Sequence, residues 1–412
     1  MKVRNTHILF ITPLPPPVHG SAMVSQCIKD SELIRGEFDC DFVNLSPSRR
    51  MDEIGKGGAK KLLRFAGSFF LLFYKLLLHR YDLCYLAITC HGVGFLKDAP
   101  FLLLCKLFGR RIVIHQHNKG MSGCIDRWPY RWLIPYIYIN ARVILLSWHL
   151  YPDIARAVKR EQVMICPNGI AAEQQVNSDE SQVKSCVAAV KGDGREVNQS
   201  QGDDSPATPL RLTSSSAAIN RSEAASLPVN LLFLSNLIPS KGVYVLLDAC
   251  KMLKDRGVAF QCNFVGGESK EMDRRVFEEA VKERGLEGHV LYHGPKYGEE
   301  KEHYWSMADV FVFPTFYHNE CMPLTILEAM QHGLPVVSTD EGAVPDMVVD
   351  GENGFVCRRK DAEGLAQALE RLLLDEALRH RMGAEGYRRY KENFTLQCFE
   401  HRFTEILREM NG

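Results

Sequence analysis

The sequence lacks the cysteine spacings that mark zinc sites and disulfide frameworks. Its 13 cysteines are scattered from Cys27 to Cys398, and no C-x-x-C pair occurs among them. The chain opens with MKVR and runs directly into a strand-like segment, so we expect no secretory signal peptide. Scattered thiols without a signal peptide are typical of a protein in the reducing cytosol, and we predict a cytoplasmic location.

The chain also lacks a long uninterrupted apolar run. The most apolar stretch, residues 62–78, reads LLRFAGSFFLLFYKLLL and is interrupted by Arg64 and Lys75. A membrane-spanning helix needs about 20 mostly apolar residues, so we do not expect this one to span. Two interpretations stay open: an amphipathic helix at the inner face of the cell membrane, or a core helix with exposed basic residues.

Net charge is absent overall, with 50 Lys and Arg against 50 Asp and Glu, but it is unevenly distributed. Residues 1–170 carry 23 basic and 12 acidic side chains, and the remainder carries 27 basic and 38 acidic ones. A basic half favours anionic partners such as a phosphorylated acceptor or an anionic membrane surface. The alternative is that these residues only solvate helix faces. No nucleic-acid-binding motif accompanies the basic excess, so nucleic acid is not expected as a partner.

A chain of 412 residues is long enough for two domains. Short apolar runs alternate with helical patterns in both halves, which predicts βαβ units and parallel sheets, hence the α/β class. The predicted strands are His7–Thr12, Leu83–Ile88, Arg111–His115, Val143–Leu146, a run from Val229, Gln261–Val265, Val290–His293, Val310–Pro314 and Pro335–Ser338.

Large apolar residues are scarce in one internal segment, residues 171–227, which is rich in Ser, Asp, Gln, Asn and Ala. Such a composition cannot bury enough apolar surface to offset its ordering entropy, so we predict a disordered insert. The insert separates an N-terminal domain, 1–170, from a C-terminal domain, 228–390. The tail, 391–412, is predicted to be a helix that crosses back onto the N-terminal domain.

Two glutamates stand out after the strand that ends at Phe313. Glu320 lies in the polar loop that follows, and Pro323 suits the first turn of a helix that carries Glu328. A helix N-terminus presents free amides and a positive dipole, which suits a diphosphate. Carboxylates on the loop and on the helix can accept hydrogen bonds from sugar hydroxyls.

The segment ECMPLTILE, from Glu320 to Glu328, resembles the E-x7-E motif of retaining GT-B glycosyltransferases, in particular glycosyltransferase family 4. The preceding ADVFVFPT and the following AMQHGLPVVSTDEGAVPDMVVDGENGFV are similar to that family's C-terminal domain. The resemblance implies a GT-B fold of two Rossmann-like domains. It further implies that Glu328 binds the nucleotide ribose and that Glu320 contacts the donor sugar. The segment implied to hold sugar and phosphate oxygens is Cys321, Met322, Pro323 and Leu324; Cys321 stands where the family more often has glycine.

A second segment of the resemblance is LSNLIPSKG, which follows a predicted strand and opens a helix. Its Lys241 matches the lysine that the family gives to the donor diphosphate, but Asn236 occupies the usual arginine position. Asparagine can donate a hydrogen bond but carries no charge, so neutralisation of the leaving diphosphate is in doubt. Gly266, after the next strand, matches the first glycine of a family pair.

Two loops of the N-terminal half complete the candidate site. In VIHQHNKG, His117 matches the family histidine that orients donor sugar or acceptor, and the alternative is a packing histidine. In the opening loop PPPVHGS, Gly20 is the candidate for close approach to the donor phosphate. Glu341 and Gly342 follow a late strand, where a simple turn and a ligand role are equally open.

The sequence therefore predicts a retaining, metal-independent glycosyltransferase without a cofactor. Its predicted partners are a UDP- or GDP-linked sugar donor and a glycan or lipid-linked acceptor, in bacterial surface polysaccharide or lipopolysaccharide synthesis. Glu320, His117 and Lys241 are the predicted catalytic residues. Two alternatives stay open: a non-catalytic nucleotide-sugar-binding subunit, for which Asn236 speaks, and another GT-B enzyme such as a nucleotide-sugar epimerase.

Overall fold

Short apolar runs in the two halves of the chain form two separate parallel sheets. The computed structural model describes residues 5–16, 20–46, 59–171 and 228–411. The predicted insert lies outside these ranges from position 172 to 227, as do positions 17–19 of the opening loop. The prediction of an α/β fold with a parallel sheet in each half is confirmed.

The N-terminal sheet has the strand order β2-β1-β3-β4-β5-β6, and all its pairings are parallel. Its central strand β3 is buried along its whole length, as expected where helices cover both faces of a parallel sheet. The strands are β1 His7–Thr12, β2 Asp39–Asn44, β3 Leu83–Ile88, β4 Arg111–Gln116, β5 Arg142–Leu145 and β6 Val163–Ile165.

Helices of the N-terminal half fall on the two sides of this sheet. The helices are α1 Gly20–Asp30, α2 Glu32–Glu37, α3 Ala59–Leu78, α4 Gly92–Leu107, α5 Tyr130–Tyr138 and α6 Tyr151–Ile154. Buried side chains of α3, α4 and α5 share one apolar cluster, and those of α1 and α2 belong to another. None of the described helices is long and apolar enough to cross a bilayer.

The C-terminal sheet has the order β12-β11-β10-β7-β8-β9, again all parallel. Its strands are β7 Val229–Leu234, β8 Phe260–Val265, β9 Val290–Tyr292, β10 Val310–Phe313, β11 Val336–Thr339 and β12 Gly354–Cys357. Its helices are α7 Val243–Asp255, α8 Arg274–Glu283, α9 Glu299–Met307, α10 Leu324–Gln331, α11 Val344–Met347, α12 Ala362–Leu374 and α13 Glu376–Asn393. Because β7 and β10 are neighbours, the loops that follow them meet at one edge of the sheet.

The last helix, α14 Leu396–Asn411, packs on the N-terminal sheet rather than on the half from which it comes. Phe403 is fully buried there, with its ring centroid 5.4 Å from that of Tyr85. Arg408, near the end of the helix, forms an ion pair with Glu37 of α2. The helix therefore joins the two halves by apolar packing on the side that α1 and α2 occupy.

We predict that Phe403→Ala destabilises the protein by about 3–5 kcal/mol, because it removes a fully buried aromatic ring and leaves a cavity. Urea unfolding followed by circular dichroism measures the change. The control is Leu374→Ala at an exposed leucine of α12, which should cost no more than about 0.5 kcal/mol. Equal losses from the two variants would show that α14 does not anchor the fold.

Candidate active site

Lys241 and Glu320 meet at the carboxyl edge of the C-terminal sheet. Lys241 ends the loop after β7, and Glu320 lies in the loop after β10. The Lys241 ammonium donates to Glu320 Oε2 and lies 5.2 Å from the ring centroid of Phe313 and 5.0 Å from that of Tyr317. Only 16% of the lysine side chain is exposed, so its charge is held close to the protein surface by one carboxylate and two aromatic faces.

Glu328 stands on α10, eight positions after Glu320, and is held by a second lysine. Lys301 of α9 places its Nζ 3.0 Å from Glu328 Oε1, and about a quarter of each side chain is exposed. The carboxylate is therefore oriented and still open to a ligand. The sequence analysis did not identify Lys301, because a lone lysine on a charged helix carries no motif.

The segment between the two glutamates is buried at its beginning, whereas Leu324 is half-buried. Cys321 and Met322 are almost fully buried, and burial raises the pKa of the Cys321 thiol well above its usual range, with the Glu320 charge adding to it. The thiol therefore stays protonated. Pro323 has extended backbone and caps α10, so the helix begins at Leu324, one residue later than a first-turn proline would place it.

Glu341 is a buried carboxylate that both halves of the chain contact. Lys119, from the loop after β4, donates to Glu341 Oε1, and the Arg359 guanidinium lies 2.9 Å from Oε2. Only 2% of the Glu341 side chain is exposed. Two cations compensate a charge whose burial would otherwise be costly. From the sequence, a turn and a ligand role are equally open for Glu341, and the structure shows its carboxylate in these ion pairs.

Gly342, next to Glu341, lets the backbone approach the Glu320 loop. Its φ is +59°, and a Cβ there would lie 2.5 Å from the carbonyl oxygens of both Glu320 and Cys321. The neighbouring Ala343 amide donates to the Cys321 carbonyl at 2.6 Å. Glycine at 342 is therefore needed both for the left-handed backbone and for the position of Glu320.

Asn236 joins two loops of the C-terminal sheet. Its Oδ1 accepts a hydrogen bond from the Gly267 amide at 3.1 Å. Gly266 has a φ of +153°, and a Cβ there would lie 1.9 Å from the Ser235 carbonyl oxygen. The loops after β7 and β8 thus touch backbone to backbone. Asn236 and Gly266 lie together at the same sheet edge as Lys241, although Asn236 adds no positive charge.

His117 follows β4 in the N-terminal half and is half-buried. Its ring centroid lies 4.1 Å from that of His115, which is fully buried with Nδ1 2.7 Å from the Tyr85 hydroxyl. Burial lowers the pKa of His115 well below its usual range, and His117 adds to this. His115 is therefore a neutral packing residue beneath His117. Gly20 begins α1 and is exposed, and a Cβ there would meet nothing within 4 Å.

A cavity of about 590 Å³ is lined by residues of the loops that follow β3, β4 and β5 and by His318 of the C-terminal half. Its lining includes the charged or imidazole side chains of His91, Lys119, Arg127, His149, Asp153 and His318. Asp153 accepts hydrogen bonds from the backbone amides of residues 120, 121 and 122 at 2.8–3.1 Å. Its carboxylate therefore stabilises the conformation of that loop. Sequence reasoning missed this cavity, because its lining comes from four loops without a common motif.

Two parallel-sheet halves with polar side chains gathered at the carboxyl ends of the strands define the class of the molecule as GT-B. Solved structures confirm this fold. Sucrose-phosphate synthase from Thermosynechococcus elongatus is similar with a TM-score of 0.67 and 18% identity, covering 98% of this chain and 99% of that one. Anabaena HepE in complex with UDP is similar with a TM-score of 0.68 and 15% identity, covering 98% and 100%.

Sequence comparison places the family signal in the C-terminal half. Residues 218–389 match the family described as "Glycosyl transferases group 1". The amylovoran biosynthesis glycosyltransferase AmsK of Erwinia amylovora is 31% identical over 159 residues, which cover 38% of each chain. The chain thus aligns with just over a third of the length of this curated relative. The family match over residues 218–389 includes Lys241, Glu320 and Glu328.

We predict that Gly342→Ala weakens whatever the Glu320 loop binds, because the added methyl group must push away the Glu320 and Cys321 carbonyls. Gly257→Ala is the matched control, since Gly257 has a similar φ of +74° and open space around it. Both changes pay about 1 kcal/mol for the left-handed backbone. Melting temperatures and UDP-glucose titrations of the two variants separate this shared cost from displacement of the loop. Equal UDP-glucose affinities would contradict the positioning role of Gly342.

Proposed function

We propose that the chain is a retaining glycosyltransferase that moves a sugar from a nucleotide-diphosphate sugar to a glycan or lipid-linked acceptor. The observation that carries the proposal is the pairing of Lys241 with Glu320 at the edge of the C-terminal sheet. A cation and a carboxylate held at the ends of parallel strands suit a ligand with both phosphate and hydroxyl groups. The name of the amylovoran relative, a biosynthesis glycosyltransferase, supports a biosynthetic role, and we propose the assembly of a bacterial surface polysaccharide or lipopolysaccharide as the setting.

The donor would lie along the carboxyl edge of the C-terminal sheet. Glu328, open to solvent and oriented by Lys301, would accept hydrogen bonds from the ribose hydroxyls. Glu320 would contact the donor sugar, and the N-terminal amides of α10 would face the diphosphate. HepE was solved with UDP, which supports a UDP-linked donor; a GDP-linked donor is the alternative to be tested.

Lys241 would have to change partners when the donor binds. In the structure its charge is neutralised by Glu320. A diphosphate offers more negative charge than one carboxylate, so the ammonium would turn to it and release Glu320 toward the sugar hydroxyls. Because Asn236 supplies no second cation, Lys241 would carry much of the stabilisation of the leaving diphosphate.

The proposed reaction breaks the bond between the anomeric carbon and the diphosphate oxygen and forms a bond from that carbon to the acceptor oxygen. The acceptor proton passes to the leaving diphosphate oxygen, on the same face of the sugar, so the anomeric configuration is retained. His117 would orient the donor sugar or the acceptor from the N-terminal side. Closure around the cleft would exclude water and limit hydrolysis.

We predict that Glu328→Gln weakens UDP binding by about tenfold to a hundredfold, since a hydrogen bond to a charged group contributes about 1.5–3 kcal/mol. Isothermal titration calorimetry with UDP, GDP and ADP measures this and identifies the base. Glu352→Gln, at an exposed glutamate of the same half, is the control and should bind like the wild type. Absence of binding to all three nucleotides would overturn the proposed donor site.

We predict that Lys241→Met lowers the rate of UDP release from UDP-glucose by roughly 10²- to 10³-fold, because the lost charge acts most strongly on the leaving group. Lys251→Met, at a lysine of α7 paired with Asp255, is the control. Proton NMR of the first released glucose tests the stereochemistry, and the α anomer is expected. Release of the β anomer would contradict retention.

The proposal includes no metal ion and no cofactor, since Lys241 and the α10 amides would meet the diphosphate charge. Treatment with EDTA should therefore leave the rate of UDP release unchanged, and a loss restored by added Mg²⁺ would contradict this part.

Asn236 keeps one further candidate open, a non-catalytic subunit. That candidate would be favoured if UDP-glucose bound tightly and neither UDP release nor conversion of the sugar occurred.

A further inference from the structure

Large apolar side chains are exposed mainly in one part of the molecule. Of the 21 such side chains in the part of the chain that the structure describes, 14 lie between positions 62 and 139. That stretch holds fewer than a quarter of the described residues. Scattered exposed apolar residues are normal on protein surfaces, but this concentration is not.

Helix α3 shows why the exposure is more than chance. Phe65, Phe69, Leu72 and Leu76 form the stripe that packs toward the sheet. The opposite side of the helix is also apolar, with Leu63, Phe70, Tyr74 and Leu77 each exposed by 59% or more. A surface helix normally turns polar residues to solvent, and a helix apolar all round has both sides covered.

Two neighbouring helices extend this surface. Phe65 and Phe69 of α3 pack edge-on against Phe101 of α4, and Lys106 of α4 donates to backbone carbonyls at the end of α5. We define the apolar face by the exposed side chains of these helices and their flanks: Leu62, Leu63, Phe70, Leu71, Phe73, Tyr74, Leu77, Leu78, Leu107, Trp128, Trp132, Tyr136 and Ile139.

The stretch of chain that carries the apolar face is rich in basic residues. Residues 59–142 contain 13 Lys and Arg, of which Lys75 pairs with Asp41 and Lys119 with Glu341, but only three Asp and Glu. Each of the three acids is already engaged: Asp98 is buried, Asp82 accepts from a backbone amide, and Asp126 pairs with Arg156. Two cations lie over aromatic rings of the face, Lys106 over Tyr136 and Arg131 over Trp132. The counterpart of this surface must be apolar and anionic together.

We propose that the apolar face docks on the interface of a bilayer that contains anionic lipids. Leu and Phe would enter the acyl boundary, Trp and Tyr would lie at headgroup level, and the basic residues would contact lipid phosphates. A second copy of the chain fits less well, because two such faces would bring like charges together. The protein would lie on the membrane through the N-terminal half.

The position of the face bears on the acceptor, and this step rests on the proposed function. Arg127 lines the cavity between the halves, and the next residue, Trp128, is 80% exposed on the apolar face. An acceptor anchored in the bilayer could therefore keep its lipid in the membrane and place its polar group in the cavity. The interface and the cavity adjoin at this point of the chain.

Sedimentation with vesicles tests the proposal. The full chain is mixed with vesicles of phosphatidylcholine alone and of phosphatidylcholine with phosphatidylglycerol. Wild-type protein should sediment with the anionic vesicles, less so in high salt. The triple variant Phe70→Ser, Leu77→Ser, Trp132→Ser should bind roughly tenfold or more weakly, because three large apolar groups no longer enter the interface. The double variant Tyr297→Ser, Leu374→Ser, at exposed apolar residues of the C-terminal half, should bind like the wild type.

Two outcomes would overturn the proposal: wild-type protein that stays in solution with anionic vesicles, or a triple variant that still binds them as well. A change of oligomeric state in the triple variant, with no vesicle binding by the wild type, would assign the face to a second copy instead. UDP titration of the same samples keeps the two proposals apart. Intact UDP binding without vesicle binding would contradict only the membrane proposal. Vesicle binding without UDP binding would contradict only the proposed donor site.

Discussion

The buried carboxylate of Glu341 links the two halves of the chain at the candidate site. Lys119 reaches it from the N-terminal half and Arg359 from the C-terminal half, so one acidic group holds cations of both. Removal of either cation would leave a buried charge less compensated, and such losses are costly. Because Gly342 follows directly and supports the Glu320 loop, the geometry of the candidate donor site depends on this carboxylate as well.

Charge in the candidate site is balanced by pairs of side chains. Glu320 neutralises Lys241, and Lys301 pairs with Glu328. Each pair is partly exposed, so a ligand with its own charges and hydroxyls can compete for it without first opening a sealed core. In this account each of these charged side chains already has a partner. The donor binds by replacing one member of such a pair. Because Cys321 and Met322 are buried, we expect the backbone of the Glu320 loop to keep its position when Lys241 changes partner.

Local patterns predicted much of the fold and less of the site. Central strands such as β1 and β3 are continuous apolar runs and are predicted from them. The edge strand β2 reads DCDFVN and is half exposed, so no apolar run marks it and it is not predicted. The sequence alone places Glu320 in the loop after β10 and Glu328 on the helix that follows. It does not identify their partners, because tertiary packing joins Lys241 to Glu320 across 79 positions and Lys119 to Glu341 across 222. The sequence of helix α3 fits both a core helix and a surface helix, because one of its apolar stripes is buried and the other is exposed.

A crystal structure of the protein with bound UDP tests the central claim most directly. The account predicts the ribose hydroxyls within hydrogen-bond distance of the Glu328 carboxylate. It also predicts the Lys241 ammonium on a phosphate oxygen, with its ion pair to Glu320 broken. UDP bound away from the carboxyl edge of the C-terminal sheet, or bound there with the Lys241–Glu320 pair intact, would contradict the account.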